Sequence, residues 1–250
     1  FDLIDRVFLI NRNFLDKIDL INSLRKYYFK NVIIHDGKNR SKFINFFIKK
    51  KRSIFVNNND ISISHFKKLK NIRFRLNFDF NESDLNFLDF RKYKTVLDNN
   101  ESYIVFHYDE KWDNSTYISK YKNIKPSIDD LIYFLENIQS KLKKKIIVTT
   151  GLKTPKILTS LFSQYNNKMI KLYENLNFFE LEEIVSQSNL LIACHGSISH
   201  IASAHNIKQI DIIDENIKNP YKNWTEHFRK YNYVYRNFFP KLKIEIIKLL

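Results

Sequence analysis

The stretch from residue 189 to residue 213 constrains the fold of this chain more than any other. An apolar run at 190–194 stops at His195-Gly196, serines follow at 197 and 199, and a second apolar run occupies 207–213. A short apolar run that ends at a glycine predicts a buried strand, and the serines predict the first turn of a helix. This pattern is typical of nucleotide-binding α/β domains, in which the amide groups at the start of the helix favour an anionic ligand.

Glycine is scarce, and each glycine stands directly after an apolar run. The chain has three glycines in 250 residues: Gly37 after 32–36, Gly151 after 146–150 and Gly196 after 190–195. Ligands of open α/β sheets bind outside the carboxyl ends of the strands, so these three turns are the first candidates for a binding site. The alternative at each position taken singly is a glycine that only permits a tight turn.

Strand and helix patterns alternate along the chain. Apolar runs predict strands at 6–10, 31–35, 53–56, 103–107, 145–149, 169–173, 190–194 and 207–213, and helical periodicity is found at 16–28, 39–49, 127–143, 153–164 and 178–186. Residues 57–100 form a looser region of irregular structure or short helices. Ser127 is expected to cap the helix that follows it. This alternation predicts parallel sheets with right-handed crossovers.

We therefore expect an α/β chain with two Rossmann-like domains that face a cleft. The N-terminal domain would span 1–98 and the C-terminal domain 99–250. The chain begins at Phe1 rather than at a methionine, so the N-terminal domain is expected to be incomplete.

The formal net charge of +15 suggests an anionic partner. Nucleic-acid binders concentrate lysine and arginine on one face, whereas here lysine is spread along the whole chain, with runs only at 49–52 and 143–145. We expect no nucleic-acid partner. Peripheral contact with an anionic membrane surface is a secondary hypothesis, because each basic group near such a surface contributes about 1 kcal/mol.

Cysteine usage and hydropathy indicate the compartment. Cys194 is the single cysteine, which excludes an internal disulfide and a multi-cysteine zinc site and suits a reducing environment. We expect Cys194 to be a small buried residue rather than a nucleophile. The apolar stretches are too short to cross a bilayer. The expected location is the cytoplasm, with peripheral association with the inner membrane as the secondary hypothesis.

The second half of the chain resembles glycosyltransferase family 9, the heptosyltransferases and their relatives, in the order and spacing of its motifs. The resemblance is carried by His107 with Lys111-Trp112, by the strand and threonine-glycine turn at 146–151, by the helix at 179–184, by the strand at 188–192 and by His200-Ile201-Ala202. Residues 32–47 are similar to the acceptor domain of the same family. The resemblance implies a bacterial GT-B enzyme of lipopolysaccharide-type glycan synthesis.

Two features depart from the family pattern. Family members carry Asp-Thr/Ser-Gly before the helix histidine, whereas this chain has His195-Gly196-Ser197, so the donor contacts would be rearranged. The family's Gly-Asp loop, whose aspartate is thought to act as general base, would lie before Phe1. The resemblance therefore assigns no catalytic base to this chain, and Asp36 does not replace it.

Site residues follow from the turns and from the resemblance. Lys111 would neutralise the charge that develops on a leaving diphosphate, and His200 would contact the diphosphate or the sugar from the start of its helix. Each residue has a structural alternative: a solvated lysine, a core histidine, a plain strand threonine, a surface glutamate or a turn-forming Asp-Gly. The predicted donor-binding residues are His107, Lys111, Thr149, Thr150, Gly151, Glu183, His195, Gly196, Ser197 and His200, and Asp36, Lys38 and Arg40 are predicted on the acceptor side.

No metal and no separate cofactor are expected. His195, His200 and His205 are spaced by five residues. That spacing on a helix rotates successive side chains by about 140°, away from one ligand face.

The predicted function is transfer of a sugar from a nucleotide-sugar donor to a glycan or lipid-linked saccharide acceptor. One alternative is a non-catalytic domain that binds a nucleotide sugar or a glycan, and another is a basic nucleic-acid binder. Saturable binding of a nucleoside diphosphate at ordinary salt would exclude the last class.

Overall fold

A computed structural model describes residues 6–8, 13–35, 38–56, 64–77, 102–113 and 121–250. The chain divides into two compact units, Phe1–Phe80 and Asn81–Leu250. The boundary predicted between 98 and 99 lies outside the described residues, so that prediction is untested.

The described part of the N-terminal unit alternates helices and strands. Its elements are α1 (Phe14–Leu24), β1 (Tyr28–Ile34), α2 (Asn39–Phe47), β2 (Lys49–Phe55) and α3 (His65–Leu76). Strands β1 and β2 pair in parallel, from Tyr28 opposite Lys49 to Ile34 opposite Phe55. A small core of Leu20, Ile21, Ile44 and Ile48 lies between the helices and this sheet. The predicted α/β alternation is confirmed here.

Several predicted boundaries in this unit are wrong. Residues 6–8 form no strand, and positions 9 and 10 of that prediction lie outside the described residues. Helix α2 ends at Phe47, and β2 already begins at Lys49. The lysines at 49–51 therefore lie in a strand, because β1 supplies backbone partners and water solvates the side chains. Within the loose region, α3 forms from His65, with the Ser64 hydroxyl as its cap.

The C-terminal unit contains a parallel sheet with helices on both faces. Its elements are β3 (Tyr103–Tyr108), α4 (Ile128–Leu142), β4 (Lys145–Thr150), α5 (Lys156–Gln164), β5 (Ile170–Tyr173), α6 (Phe178–Ser186), β6 (Leu190–Cys194), α7 (Ser197–Ala204), β7 (Lys208–Ile213), α8 (Lys218–Thr225), β8 (Tyr231–Tyr235) and α9 (Phe239–Leu249). The described strands pair in the order β5-β4-β3-β6-β7-β8. When the strands are numbered within this unit, with β3 as the first, this is the doubly wound order 3-2-1-4-5-6. The strand order reverses between β3 and β6.

Two hydrophobic layers hold the helices to this sheet. One layer joins α4, α5 and α9 to the strands through fully buried side chains such as Phe134, Leu158 and Leu242. The other joins α6 and α7 to the opposite face through Ile184, Val185, Ile198 and Ala202. Burying a side chain of this size contributes about 1.5–3 kcal/mol, so both faces are firmly covered. None of the described helices is both long and apolar enough to span a bilayer.

The sequence predictions for this unit are mostly confirmed. The hydroxyl of Ser127 accepts from the amide of Asp130, as expected for the cap of α4. Helix α5 begins at Lys156 rather than at 153, because Pro155 takes the extended conformation at the cap. No helix or strand was predicted within residues 214–250, which add α8, the outer strand β8 and α9.

Candidate functional site

The carboxyl ends of three neighbouring strands, β4, β3 and β6, meet where the strand order of the sheet reverses. Strand β3 pairs with β4 on one side, where Tyr108 lies opposite Thr150, and with β6 on the other, where His107 lies opposite Ala193. The turns after these strands therefore lie side by side at the carboxyl edge of the sheet. Two of the three predicted glycine turns, at Gly151 and Gly196, come together here. The third, at Gly37, lies outside the described residues.

Lys111 extends from the turn after β3 to the turn after β6. A Cβ built on Gly196 would lie 2.5 Å from Nζ of Lys111 and 3.5 Å from its Cε. This close approach requires a residue without a side chain at 196, although the backbone there is extended, with φ of 179°. The ammonium group thus lies against the residue that precedes the first turn of α7. In that turn the Ser199 amide donates to the Gly196 carbonyl at 3.0 Å.

Asp109 orients Lys111. Its Oδ2 accepts a charge-assisted hydrogen bond of 2.7 Å from Nζ of Lys111, and its Oδ1 accepts from the Lys111 amide at 3.1 Å. The Asp109 side chain is buried, whereas 18% of the Lys111 side chain is exposed. The carboxylate therefore holds the ammonium in one place, while part of the Lys111 side chain remains exposed.

His107 lies beneath this pair as a neutral residue. Its Nδ1 is 2.9 Å from Oγ1 of Thr149, and its Nε2 is 3.9 Å from Oδ2 of Asp109. Burial lowers the pKa of His107 to about 4, an effect that Asp109 partly opposes. His107 and Thr149 thus hydrogen-bond each other inside the sheet edge.

The turn at Gly151 adjoins the same segment. A Cβ on Gly151 would lie 3.0 Å from Oε2 of Glu110 and 3.4 Å from Cβ of Asp109. The Thr150 hydroxyl donates to the carbonyl of Gly151 at 3.2 Å. The segment 109–111 therefore lies between the two glycine turns, with a carboxylate toward Gly151 and an ammonium toward Gly196.

A buried hydrogen-bond chain fixes the start of α7. The amide of Gly196 donates to Oγ of Ser199 at 3.2 Å, and that hydroxyl donates to Oδ1 of Asp211 at 2.8 Å. The other oxygen of Asp211 lies 2.6 Å from Nδ1 of His195. Ser199 and Asp211 are fully buried, whereas Ser197, the first residue of α7, is exposed. One carboxylate on β7 therefore sets both the Gly196 turn and the His195 ring.

Aromatic rings from α8 and the residues that follow it surround the two site histidines. The His195 ring stacks on Trp224, with centroids 6.1 Å apart, and contacts Tyr221 edge-on at 4.8 Å. The exposed His200 lies 5.1 Å from Phe228 and 5.6 Å from His195. The side chains of α8 thus fix the position of the His195 ring.

The spacing argument for the histidines is wrong for one pair. His195 and His200 come together because His195 precedes α7 instead of lying on it. His205 lies elsewhere, 3.2 Å from Glu182. No cluster of three or more acidic, histidine or cysteine side chains suited to a metal ion is found among the described residues.

Arg236, which follows β8, attaches the Lys111 turn to the sheet. Its Nη2 donates to the carbonyl of Lys111 at 2.7 Å, and its Nε donates to that of Lys122 at 3.1 Å. Its Nη1 lies 3.6 Å from Sγ of Cys194. Burial raises the pKa of the Cys194 thiol, which agrees with the small buried residue expected there. Arg236 therefore supports the backbone on which Lys111 is presented.

The remaining predicted residues lie in other places. Glu183 is buried on α6, where Gln187 donates to it at 3.4 Å and where it contributes to the raised pKa of Tyr103. The surface position considered for Glu183 is therefore wrong. Lys38 and Arg40 are exposed at the start of α2 in the N-terminal unit. Asp36 lies outside the described residues.

Sequence reasoning missed Asp109, Asp211 and Arg236. Asp211 had a usable signal, because it is a lone carboxylate inside the apolar run 207–213. A buried charge of this kind requires a partner. Arg236 had no comparable signal, since its partners are backbone carbonyls and a thiol far away in the sequence.

Comparison with known proteins gives matches in structure only. The sequence matches no protein-family model and no curated protein. The E. coli heptosyltransferase WaaC with ADP has a TM-score of 0.63 at 10% identity, over 94% of this chain and 78% of that one. A glycosyl transferase of family 9 from Veillonella parvula has a TM-score of 0.64 at 11% identity, over 96% and 72%.

A second class of enzyme has a similar structure. A putative UDP-N-acetylglucosamine 2-epimerase from Listeria monocytogenes has a TM-score of 0.60 at 10% identity, over 97% of this chain and 73% of that one. At such identities the likeness concerns the fold. The resemblance predicted from the sequence is confirmed at that level: the chain has the GT-B-like α/β fold of the heptosyltransferases and of the family 9 glycosyltransferase.

Proposed function

We propose that this chain is a GT-B-type glycosyltransferase that moves a sugar from a nucleotide-sugar donor to a glycan or lipid-linked saccharide. The fold supports a nucleotide-sugar enzyme, and the similar E. coli structure is a complex with ADP. The observation that carries the proposal is the contact between Lys111 and Gly196 at the start of α7. An ammonium group beside the positive end of a helix is suited to bind a diphosphate.

The donor diphosphate would bind between Lys111 and the first turn of α7. Asp109 keeps the ammonium in position, and the Gly196 backbone, free of a side chain, allows the ammonium to lie close to the start of α7. Lys111 would then form a charge-assisted hydrogen bond to the ligand. His200 and the exposed Ser197 are the other donor-binding candidates on this side of the site.

In the transfer step, an acceptor hydroxyl oxygen forms a bond to the anomeric carbon while the bond from that carbon to the diphosphate oxygen breaks. The electron pair of the broken bond leaves on the diphosphate, and Lys111 would stabilise the added negative charge. The acceptor hydroxyl loses its proton to a base. The family resemblance assigns no residue of this chain as that base, and it implies inversion at the anomeric carbon.

The acceptor would contact the N-terminal unit near Asp36, Lys38 and Arg40, as predicted from the sequence. Peripheral contact of the basic surface with the cytoplasmic face of an anionic membrane would suit a lipid-linked acceptor.

The proposal is tested by titration with ADP, UDP and GDP and with the free nucleosides. We expect saturable binding of at least one diphosphate, and we expect Lys111→Glu to weaken the diphosphate by at least tenfold, about 1.4 kcal/mol, while the nucleoside changes little. Lys248→Glu on the exposed side of α9 makes the same charge change and serves as the matched control. Equal losses of affinity for the diphosphate and for the nucleoside would show that Lys111 does not contact the phosphates.

Product analysis distinguishes transfer from the other functions of this fold. Release of nucleoside diphosphate from a sugar donor in the presence of acceptor supports transfer. An isomerised nucleotide sugar with no released diphosphate would instead support an epimerase, the class of the similar Listeria structure. Tight diphosphate binding without turnover of any donor would support a non-catalytic nucleotide-sugar domain.

A further inference from the structure

Helix α2 carries a cluster of exposed phenylalanine rings. Phe46 and Phe47 follow Phe43 by three and four residues, so the three side chains lie on one side of the helix. Phe43, Phe46 and Phe47 are 46%, 79% and 41% exposed. The centroid of the Phe47 ring lies 4.9 Å from that of Phe43 and 5.2 Å from that of Phe46. The rings thus form one continuous apolar surface, the phenylalanine cluster.

The opposite side of α2 fixes the cluster at the surface. Ile44 is buried in the core of the N-terminal unit, and Asn45 is buried where its side chain accepts a hydrogen bond of 3.0 Å from Ser53 on β2. A rotation of the helix that buried the cluster would break these contacts. A large apolar side chain that is exposed alone is ordinary, whereas a contiguous exposed group marks an interaction surface.

Positive charge surrounds the cluster. Arg40 precedes Phe43 by three residues and Lys42 precedes Phe46 by four, and both basic side chains are exposed. Residues 37–59 include no aspartate or glutamate but seven basic residues, so nearly half of the net charge of +15 falls in this one segment. These basic residues are Lys38, Arg40, Lys42, Lys49, Lys50, Lys51 and Arg52.

We propose that the phenylalanine cluster and the basic residues around it are a docking surface for an anionic lipid bilayer. The rings would enter the boundary between headgroups and acyl chains, and the basic groups would contact the lipid phosphates. The inference rests on the proposed function for the role of this contact, because a lipid-linked acceptor is presented at a membrane. The acceptor-side candidates Lys38 and Arg40 stand at the start of the same helix.

The ring geometry favours a lipid surface over single-stranded nucleic acid, the other anionic partner of basic and aromatic surfaces. Nucleic acid binds such surfaces by stacking its bases on flat ring faces. Here the rings meet one another edge-to-face, with interplanar angles of 64° and 85°, as a compact apolar projection. A bilayer has an apolar interior beneath a layer of negative charge, which matches the cluster and the cations beside it.

Co-sedimentation of the full chain with vesicles tests the cluster. The probes are vesicles of phosphatidylcholine alone and of phosphatidylcholine mixed with phosphatidylglycerol. We expect binding to the mixed vesicles, and we expect Phe46→Ser to lower the partition coefficient by about fivefold or more. Phe74→Ser is the matched control, because Phe74 on α3 is 83% exposed and lies outside the cluster. It should change partitioning by less than about twofold.

A charge change tests the basic residues. Lys42→Glu should lower partitioning to the mixed vesicles, and Lys67→Glu, at an exposed lysine of α3, is the matched control that should lower it clearly less. Raising the salt from about 0.1 M to about 1 M shortens the screening length from about 10 Å to about 3 Å. Partitioning of the parent chain should therefore fall with salt, whereas the fold-loss caused by Phe46→Ser should persist.

Three results would overturn the docking surface. The first is equal losses for Phe46→Ser and Phe74→Ser, and the second is equal binding to both kinds of vesicle. The third is a dimer or an RNA complex that Phe46→Ser abolishes, in a chain that binds no vesicles, because the cluster would then serve another partner.

The same measurements separate this inference from the proposed function. A chain that binds a nucleoside diphosphate but no vesicles would overturn the docking surface alone. A chain that binds the mixed vesicles but no nucleoside diphosphate would overturn the proposed function and leave the docking surface standing.

Discussion

Trp112 stacks on Tyr108 with ring centroids 5.1 Å apart and planes only 13° from parallel. Its indole nitrogen donates to the carbonyl of His107 at 3.0 Å, and the side chain is fully buried. The residue next to Lys111 is therefore fixed in the core on the side of Phe134 and Phe239. This anchoring keeps the Lys111 turn in one conformation before any ligand binds.

Replacing Trp112 by alanine should destabilise the C-terminal unit by about 3–5 kcal/mol, because the substitution leaves a large cavity and removes a buried hydrogen bond. Urea unfolding monitored by far-UV circular dichroism measures the effect. Trp224→Ala is the control on a partly exposed tryptophan and should cost clearly less. Similar losses for the two variants would contradict the anchoring role.

Gly196→Ala should reduce diphosphate affinity several-fold with little change in stability. The backbone at 196 is extended and accepts alanine, whereas the new Cβ would displace the flexible end of Lys111. A double-mutant cycle with Lys111→Ala checks this by calorimetry. In the Lys111→Ala background, the second substitution should have almost no further effect on diphosphate affinity. Full additivity of the two losses would show that Gly196 acts independently of the lysine.

His200→Ala should weaken diphosphate binding while changing the free energy of unfolding by less than about 1 kcal/mol. The ring is exposed. It contacts Phe228 and His195 edge-on and stacks on His227 at 6.1 Å, so little buried packing is lost. Ligand titration and thermal unfolding of the same preparation give both quantities. A large loss of stability with intact binding would make His200 a structural residue.

The buried His107 should make the free energy of unfolding depend on pH. Its pKa of about 4 in the folded chain lies below the ordinary value of about 6.5, so between these values the unfolded chain binds the proton first. Stability is therefore full above about pH 6.5 and falls as pH decreases toward 4. The loss between pH 7 and pH 5 should be about 2 kcal/mol.

His107→Asn retains a hydrogen bond to Thr149 but removes the titration. The difference in unfolding free energy between pH 7 and pH 5 should shrink by about 2 kcal/mol in this variant. An unchanged difference would assign the acid sensitivity to other groups.

Periodicity was sufficient for the core elements of the fold and insufficient for its exposed strands. The strands 103–108 and 190–194 are short apolar runs buried on both faces, so their composition alone identifies them. Only the second half of strand β2 was predicted, because the strand begins with three lysines. Their backbone pairs with β1, and water solvates their side chains. Strand β8 presents tyrosines and an asparagine at the sheet edge, where packing imposes no apolar pattern.

The site was predictable as a set of turns but not as a set of pairs. Glycine after a strand pointed to Gly151 and Gly196, and the family resemblance pointed to Lys111. Asp109 is only two residues from Lys111, but its contact depends on the conformation of the turn after β3. The partner Asp211 depends on which strands are neighbours, and a single sequence does not specify that order. The histidine geometry was misjudged for the same reason, since His195 is set by β7 rather than by the period of α7.

The reversal of strand order has a consequence for how the protein is made. Strands β3 and β6 pair between residues 105 and 191, so ribosomal synthesis must pass both before the lysine can meet its glycine. The Asp211 side chain that secures the glycine turn emerges later still. The proposed nucleotide affinity would therefore arise late and abruptly during translation, and ligand capture by nascent chains would report that β7 has joined the sheet.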